Sequence, residues 1–243
     1  MRAVAIALLA LSCTPGLQAQ QLGHRYEHRA AHDPDGIGKF YLGREIAQVM
    51  GPGGIRWLER TERETEEQPK LVIDALDITP GQTIADLGAG SGYYSLRIAP
   101  LVGPTGKVLA IDIEPAMLEA IAQRARREHV DNIATVRSSA QDPSLAPRSV
   151  DLLFMVDVYH ELEYPYEMLT RVRAALKPGG RVALIEYRAE DPEVLIKPLH
   201  KMSERQVRRE MQAAGFRHVK TVRTLPLQHL IVFEDAASPR SRG

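Results

Sequence analysis

The segment 70–187 alternates short apolar stretches with stretches of helical spacing, and this alternation restricts the fold more than any other feature. The predicted strands cover 83–87, 107–111, 133–136, 150–156 and 181–186, and the predicted helices cover 94–101, 115–127 and 165–176. Strand–helix alternation of this kind predicts a parallel sheet with helices on both faces, joined by right-handed crossovers.

Two more β-rich stretches, 219–225 and 230–234, follow without a helix between them. Ser203 and Gln206 have the spacing of a capping box, so a helix is predicted to begin there and to end at Gly215. Two consecutive strands without a helix predict an antiparallel pair at the sheet edge. The predicted fold class is therefore α/β, with a doubly wound, mostly parallel seven-stranded sheet and an antiparallel C-terminal β pair.

The charges of the chain balance, with 31 Lys plus Arg residues against 31 Asp plus Glu residues. Phosphate binding usually leaves a basic excess, so no nucleic-acid partner is expected. The 243 residues suffice for one α/β domain with a full core. Composition does not predict an oligomeric state.

The first 19 residues have the layout of a secretory signal peptide. A positive Arg2 precedes an apolar run over 3–11, and helix breakers precede a small residue, Ala19. We expect cleavage after Ala19 and a periplasmic location; an ordinary buried N-terminal helix is the alternative. Cys13, the only cysteine, fits a lipoprotein site poorly, and its removal would exclude disulfides and cysteine-bound zinc. No later segment reaches transmembrane length.

Residues 20–69 are polar and charged, and we predict a helical extension here, ahead of a domain at 70–235 and a disordered tail at 236–243. Within it, 56–67 is expected to be a solvated helix on which Trp57 packs against the domain. The alternative is a lid, with Arg60 or Arg63 reaching an anionic acceptor. A metal site is a further hypothesis for three histidines at helical spacing, His24, His28 and His32.

A glycine-rich loop, Asp86-Leu87-Gly88-Ala89-Gly90-Ser91-Gly92, lies between a predicted strand and a predicted helix. Such a turn lets a ligand approach the backbone and the helix N-terminus. The spacing is G-x-G-x-G, whereas the dinucleotide pattern is G-x-G-x-x-G. Asp112 ends the second strand, where related folds place an acid on ribose hydroxyls. The loop alone would equally fit a tight structural turn.

Four motifs together resemble the class I methyltransferases over about residues 71–233. They are Asp86 to Gly92, Ala110-Ile111-Asp112, Gln141-Asp142-Pro143 and Leu176-Lys177-Pro178-Gly179-Gly180. A closer resemblance, to predicted exported bacterial methyltransferases, rests on Met50-Gly51, Trp57 to Arg60, Asp157 to Glu161, Ile185 to Arg188 and Pro198 to Met202. That group supplies no substrate.

The resemblance implies S-adenosylmethionine as the cofactor. The glycine loop would hold its methionine part, the acid after strand two its ribose, the next residue its adenine ring and the third-strand acid its adenine amino group. Asp157 is expected in the cofactor wall. The implied cofactor-binding residues are Asp86, Gly88, Ala89, Gly90, Gly92, Asp112, Ile113, Gln141, Asp142 and Asp157.

Methyl transfer needs alignment and, for some acceptors, removal of a proton. His160 follows the fourth strand and is the predicted general base, because histidine titrates near neutral pH. Glu161 would be a second base or orient the imidazole, and Tyr159 would line the pocket. A helix cap or a loop hydrogen bond is the alternative for His160. The predicted acceptor contacts are Glu186, Tyr187, Arg188 and His200.

The function expected from the resemblance is methyl transfer to an unidentified, small-molecule acceptor. Two alternatives stay open at this point. One is an exported protein that binds S-adenosylmethionine without turnover. The other is a nicotinamide-dependent oxidoreductase, against which the glycine spacing and the lack of a Tyr-x-x-x-Lys pair near strand four both argue.

Overall fold

The computed structural model describes residues 25–239, except for the side chain of Pro52. The predicted signal peptide, with Cys13, lies outside these residues, as does His24. Cleavage and export therefore stay predictions.

The chain from 26 to 47 forms a small antiparallel sheet, so the helix predicted for this part of the extension is wrong. Its strands are β1 (Tyr26–His28), β2 (Gly36–Tyr41) and β3 (Arg44–Ala47). Leu42 and Gly43 both have positive φ, 46° and 81°, as a two-residue hairpin turn requires. The helical spacing proposed for the histidines is thus absent, because His28 lies in a strand and His32 in the following loop.

Short helices follow this sheet and partly confirm the helical expectation for the extension. They are α1 (Ile55–Leu58), α2 (Arg63–Glu66) and α3 (Pro69–Ala75). The segment 56–67 is thus two single turns rather than one helix. Trp57 keeps 46% of its surface exposed, so it packs less than predicted.

The main sheet has seven strands in the order β6-β5-β4-β7-β8-β10-β9. They are β4 (Thr83–Leu87), β5 (Lys107–Asp112), β6 (Ile133–Arg137), β7 (Val150–Val156), β8 (Leu176–Tyr187), β9 (Phe216–Val222) and β10 (Gln228–Asp235). The first five are parallel, and β10 runs antiparallel to β8 and β9. The predicted fold class is confirmed.

Four longer helices cover the sheet: α4 (Tyr93–Val102), α5 (Pro115–Arg127), α6 (Pro165–Ala175) and α7 (Glu204–Ala213). The predicted cap of α7 is present, since Ser203 Oγ accepts a hydrogen bond from the Gln206 backbone N–H at 3.2 Å. In the described part of the chain, no helix combines the length and apolar character that crossing a bilayer requires.

The two largest apolar clusters of the core cover the main sheet, one on each face. Neighbouring residues of β7 belong to different clusters: Leu153 packs with α6 and α7, and Phe154 packs with α3 and α4. Successive strand side chains point to opposite faces, so a strand covered on both faces must be apolar throughout. This burial explains the nearly continuous apolar run at 150–156, which only Asp151 interrupts.

Candidate active site

A cavity of about 640 Å³ opens at the carboxyl ends of the parallel strands. Residues at or just after the ends of four strands line it: Leu87, Asp112 and Tyr187 are the last residues of β4, β5 and β8, and Asp157 follows β7. The extension closes another side, through Met50, Trp57 and Leu58. In doubly wound sheets this edge is the usual ligand site.

In the turn between β4 and α4, two glycines lie so close to neighbouring side chains that a Cβ atom on either would not fit. Gly88 has φ 76°, and an added Cβ would lie 2.5 Å from Val158 Cγ2. At Gly90, with φ 54°, an added Cβ would lie 2.7 Å from Leu58 Cδ1. Glycine permits both the left-handed backbone and the close approach. These two glycines, with Val158 and Leu58, form part of the cavity wall.

Three of the predicted cofactor residues, Asp86, Ala89 and Gly92, lie behind the wall and shape the loop instead. The Asp86 carboxylate accepts a hydrogen bond from Ser95 Oγ at 2.7 Å, which ties β4 to the first turn of α4. An added Cβ at Gly92 would lie 2.9 Å from Ile121 Cγ1, so this glycine permits close packing on α5.

Asp112 and Ile113 stand in the cavity wall, where their predicted roles require them. One carboxylate oxygen of Asp112 accepts from the Gly90 backbone N–H and the other from that of Glu114, each at 2.9 Å. Burial raises the pKa of Asp112. The carboxylate therefore already holds the glycine loop, and the ribose contact stays a prediction.

The residues that line the cavity after β6 are not the ones that were predicted. Residues 138–140 line the cavity, whereas Gln141 is exposed and Asp142 is not part of the wall. Asp142 Oδ1 accepts the Ser144 backbone N–H at 2.8 Å, and its Oδ2 lies 3.6 Å from Arg171 Nε. A short acidic side chain that bonds to the backbone two residues on forms a local turn. The predicted adenine contacts of Gln141 and Asp142 are thus not supported.

Asp157 contributes a buried carboxylate to the wall, as predicted. Its Oδ2 accepts from Gln228 Nε2 at 2.7 Å, while its Oδ1 is buried without a hydrogen-bond partner among the described residues. Burial, followed by the charge of Glu67, raises the pKa of this carboxyl well above its usual range. A buried acceptor without a donor is costly, and a cationic donor would satisfy it.

The Glu67 carboxylate accepts hydrogen bonds from three polar side chains of the neighbouring wall. It accepts from Arg60 Nη2 and Arg63 Nε, each at 2.7 Å, and from the Tyr187 hydroxyl at 2.9 Å. Both guanidinium groups are therefore already paired, so this arrangement does not support the expected contact of Arg60 or Arg63 with an anionic acceptor. Tyr187 reaches the cavity, in agreement with its predicted position.

His160 is buried at the cavity and lies between two polar partners. Its Nδ1 is 2.6 Å from Glu186 Oε2, and its Nε2 is 3.1 Å from His200 Nδ1. Glu186 Oε1 also accepts the Tyr159 backbone N–H at 2.9 Å. A carboxylate only accepts, so Nδ1 carries a proton, and Nε2 lies on the side of the ring away from Glu186. Glu186 therefore orients His160 from outside the wall rather than contacting an acceptor.

Glu161 completes this group, because its carboxylate oxygen Oε1 lies 3.8 Å from both His160 Nε2 and His200 Nδ1. Its other oxygen accepts the Met50 backbone N–H at 3.3 Å. Burial raises the pKa of Glu161 to about 7. The two predicted bases, His160 and Glu161, therefore lie next to His200, one of the predicted acceptor contacts.

Tyr159 and Arg188, by contrast, are not part of the cavity wall, so the predicted pocket-lining role of Tyr159 and the predicted acceptor contact of Arg188 are not supported. The fully buried Tyr159 hydroxyl donates to Glu210 Oε2 at 2.9 Å. Arg188 Nη1 donates to the carbonyl oxygens of Leu225 and Gln228, at 2.7 and 2.8 Å. Leu225 lies in the β9–β10 connection and Gln228 begins β10, and the guanidinium supplies a donor to both carbonyls.

Sequence reasoning missed several apolar wall residues. Met50, Leu58 and Ile196 line the cavity from loops or a single helical turn. Such segments have no periodic pattern, and an apolar loop residue carries no signal that separates a ligand wall from ordinary packing. Ser138 to Ala140 line the cavity, whereas the residues predicted in this loop, Gln141 and Asp142, lie just after them in the chain.

Replacing Asp86 with asparagine is expected to flatten the pH dependence of stability. Burial raises the pKa of Asp86 to about 7, so between about pH 4 and pH 7 the folded protein holds a proton that the unfolded chain releases. The stabilisation is therefore complete at low pH and is lost as pH rises through 7. From pH 5 to pH 8, the wild type should lose about 2–3 kcal/mol more unfolding free energy than Asp86→Asn.

Urea unfolding at the two pH values measures this difference. Asp131→Asn, which changes an exposed carboxyl, is the control and should behave as the wild type. Equal pH dependence in Asp86→Asn and the wild type would contradict the raised pKa.

Known proteins that are similar to this chain in sequence or structure include methyltransferases, in agreement with the cavity and the glycine loop described above. A methyltransferase domain model matches residues 85–182, which include the glycine loop and strands β5 to β7. A solved S-adenosylmethionine-dependent methyltransferase of Aquifex aeolicus superposes with a TM-score of 0.72 at 25% identity, over 76% of this chain and 98% of that one.

Two curated relatives match at lower coverage. One is the ubiquinone/menaquinone biosynthesis C-methyltransferase UbiE of Klebsiella pneumoniae, 29% identical over 54% of this chain and 51% of that protein. The other is an uncharacterised 37.1 kDa protein in transposon Tn4556 of Streptomyces fradiae, 28% identical over 70% and 53%. The chain thus spans about half the length of the curated relatives it matches. With the strand order, the glycine loop and the acid after β5, these matches show that residues 85–182 form a methyltransferase domain and that the chain has the fold of the class I S-adenosylmethionine-dependent methyltransferases.

Proposed function

We propose that this protein transfers a methyl group from S-adenosylmethionine to a small acceptor held in the same cavity. The observation that carries the proposal is the buried Oδ1 of Asp157 in the wall beside the glycine loop, which has no hydrogen-bond partner within residues 25–239. The cofactor has a cationic ammonium group that such an acceptor would bind. The Asp112 carboxylate, whose oxygens each keep a further lone pair, supplies another acceptor in the same wall.

The size and lining of the cavity favour a small acceptor with an apolar body. The volume of about 640 Å³ falls within the range of roughly 300–1,000 Å³ usual for small-molecule sites. Met50, Leu162, Met168 and Ile196 supply apolar surface. The rim also carries Lys197.

S-adenosylmethionine supplies an electrophilic sulfonium methyl when bound, and the acceptor supplies the electron pair. His160 is placed to take a proton from the acceptor at Nε2, since Glu186 holds its Nδ1–H. Glu186 is thus a positioning residue. The segment with Trp57 and Leu58 covers the glycine loop and limits water at the reacting atoms.

The test is incubation of the purified protein with methyl-labelled S-adenosylmethionine and either cell-envelope extracts or a panel of phenols, thiols and demethylated quinols. Mass spectrometry identifies the labelled product. The quinols are included because relatives are named for quinone biosynthesis. Calorimetry with S-adenosylmethionine, its demethylated product and NAD provides a second measurement. Cofactor binding without a labelled product would favour a binding protein, and binding of NAD alone would refute the proposal.

Gly88→Ala is expected to weaken S-adenosylmethionine binding more than tenfold, because the added Cβ would force Val158 or the loop to move. Gly179→Ala is the matched control. Its φ of 79° is close to the 76° of Gly88, yet an added Cβ there meets nothing within 4 Å. Both variants should lose about 1–2 kcal/mol of stability from the left-handed backbone. Calorimetry measures the affinity, and equal affinities in the two variants would contradict the role of the Gly88 cradle.

Trp57 fluorescence should change when the cofactor binds. This single tryptophan is 46% exposed at the cavity, and the Arg60 guanidinium lies 3.7 Å from its ring centroid. Closure of the segment would bury the ring, shift emission to shorter wavelength and reduce quenching by acrylamide. Trp57→Phe, which abolishes the signal, is the control. If calorimetry shows binding while quenching is unchanged, the segment does not close as a lid.

A further inference from the structure

We propose that His160, Glu161 and His200 bind one divalent transition-metal ion in the wall of the cavity. The site goes beyond methyl transfer, because binding of the ion needs neither cofactor nor acceptor. The potential ligand atoms of the three side chains all lie within 4.8 Å of one another. They come from two connections that the sheet brings together, one after β7 and the other between β8 and α7.

The distance between the two imidazole nitrogens suits a shared ion. Two nitrogens that each bind one metal at about 2.1 Å, with angles between octahedral and tetrahedral, are separated by about 3.0–3.4 Å. His160 Nε2 and His200 Nδ1 are 3.1 Å apart. The Glu161 carboxylate oxygen is 3.8 Å from each, so a shift of a few tenths of an ångström completes a three-ligand site.

The Glu186 carboxylate, which contacts the far side of the His160 ring, is also typical of a metal site. A metal-binding histidine usually donates its other ring N–H to a carboxylate, which fixes the tautomer and makes the ligand nitrogen more basic. Glu186, which is fully buried, accepts from His160 Nδ1 at 2.6 Å. The ring therefore offers Nε2 as the ligand atom, on the side of His200.

The ligand set selects the class of ion. Two imidazoles and one carboxylate favour zinc, iron, cobalt or nickel over magnesium or calcium, which prefer oxygen ligands. Three protein ligands leave at least one position open, as in catalytic sites. Because all three residues line the cavity, that open position faces the space available to an acceptor.

The ion and an acceptor proton would compete for the same lone pair on His160 Nε2. His160 would thus act as a base only in the metal-free protein. In the metal-bound protein, an acceptor oxygen, nitrogen or sulfur would coordinate to the ion instead.

The test is titration of the chelator-treated full protein with Zn²⁺ in competition with a chromogenic chelator, and with Co²⁺ followed by visible absorption. We expect one ion per chain. Removal of a partner behind a ligand typically weakens metal binding about 10–100-fold. Glu186→Gln should fall in this range, and His200→Ala and Glu161→Gln should lose more. His28→Ala removes an exposed histidine far from the cavity and should bind as the wild type.

Circular dichroism and urea unfolding establish that each variant is folded, and the partly exposed His200 makes its variant the least disruptive. Zn²⁺ binding that is unchanged in folded His200→Ala and Glu161→Gln, or absent in the wild type, would overturn the proposal. Failure of the methyl-transfer proposal would appear separately, as a metal-binding protein that neither binds S-adenosylmethionine nor labels an acceptor.

Discussion

His160→Ala is expected to lower the rate of methyl transfer about 100- to 10,000-fold, the range typical for loss of a general base. Affinity for S-adenosylmethionine should change no more than about threefold, because the predicted cofactor contacts lie at the glycine loop, Asp112 and Asp157. The imidazole is in the wall, its Nδ1 is held by Glu186 at 2.6 Å, and its Nε2 faces His200. Single-turnover rates and calorimetry on the same preparation measure the two quantities.

Two further variants separate chemistry from structure at this position. Glu186→Gln keeps the shape but removes the carboxylate behind the ring, so the pH dependence of the rate should shift while the fold persists. His28→Ala changes an exposed histidine in β1 and should leave the rate unchanged. A His160→Ala protein that is folded and as active as the wild type would remove His160 from the mechanism.

Arg44→Ala is expected to cost about 3–5 kcal/mol of unfolding free energy, because it leaves a buried carboxylate without its cation. Arg44 Nε and Nη2 donate to the two oxygens of the fully buried Glu210, at 2.8 and 3.0 Å. The same guanidinium donates to the His160 carbonyl at 3.0 Å, and Tyr159 donates to Glu210 at 2.9 Å. One arginine thus connects β3, α7 and the turn that carries His160.

Lys70→Ala is the matched control for this loss. Its ammonium group pairs with Asp74 at 2.6 Å, but the lysine side chain is 84% exposed. Exposed pairs contribute little, since water and salt screen them. Urea unfolding measures the unfolding free energy that each variant loses. Comparable losses in the two variants would mean that burial of the Arg44–Glu210 pair has no energetic consequence.

The Arg44 contacts also change the interpretation of the N-terminal extension. Its β3 strand is joined to α7 by a buried ion pair, and Met50 just beyond it donates to Glu161 in the site. We therefore expect removal of residues 26–50 to impair both stability and the position of His160. The following segment, with Trp57 and Leu58, has the exposure and the location expected of a lid.

The fold was predictable because its signals are local. The mostly apolar segments 150–156 and 83–87 match β7 and β4, since burial on both faces favours apolar residues at successive positions. Ser203 and Gly215 fixed the ends of α7, because capping acts within one turn. The small N-terminal sheet escaped prediction. Its strands are short, and its Tyr26, Tyr41 and Ile46 core depends on contact with residues near 164–166.

By itself, the sequence determined the mostly parallel sheet with its antiparallel C-terminal pair, the glycine turn and the edge at which the cavity opens, because strand alternation and backbone sterics act between near neighbours. It also placed Asp112 and Asp157 at strand ends. Only the tertiary structure decided which polar residues face the cavity. Tyr159 turns inward to Glu210, and His200 reaches His160 across 40 positions of chain. These partners are set by how loops from different strands pack together, and no local pattern encodes that packing.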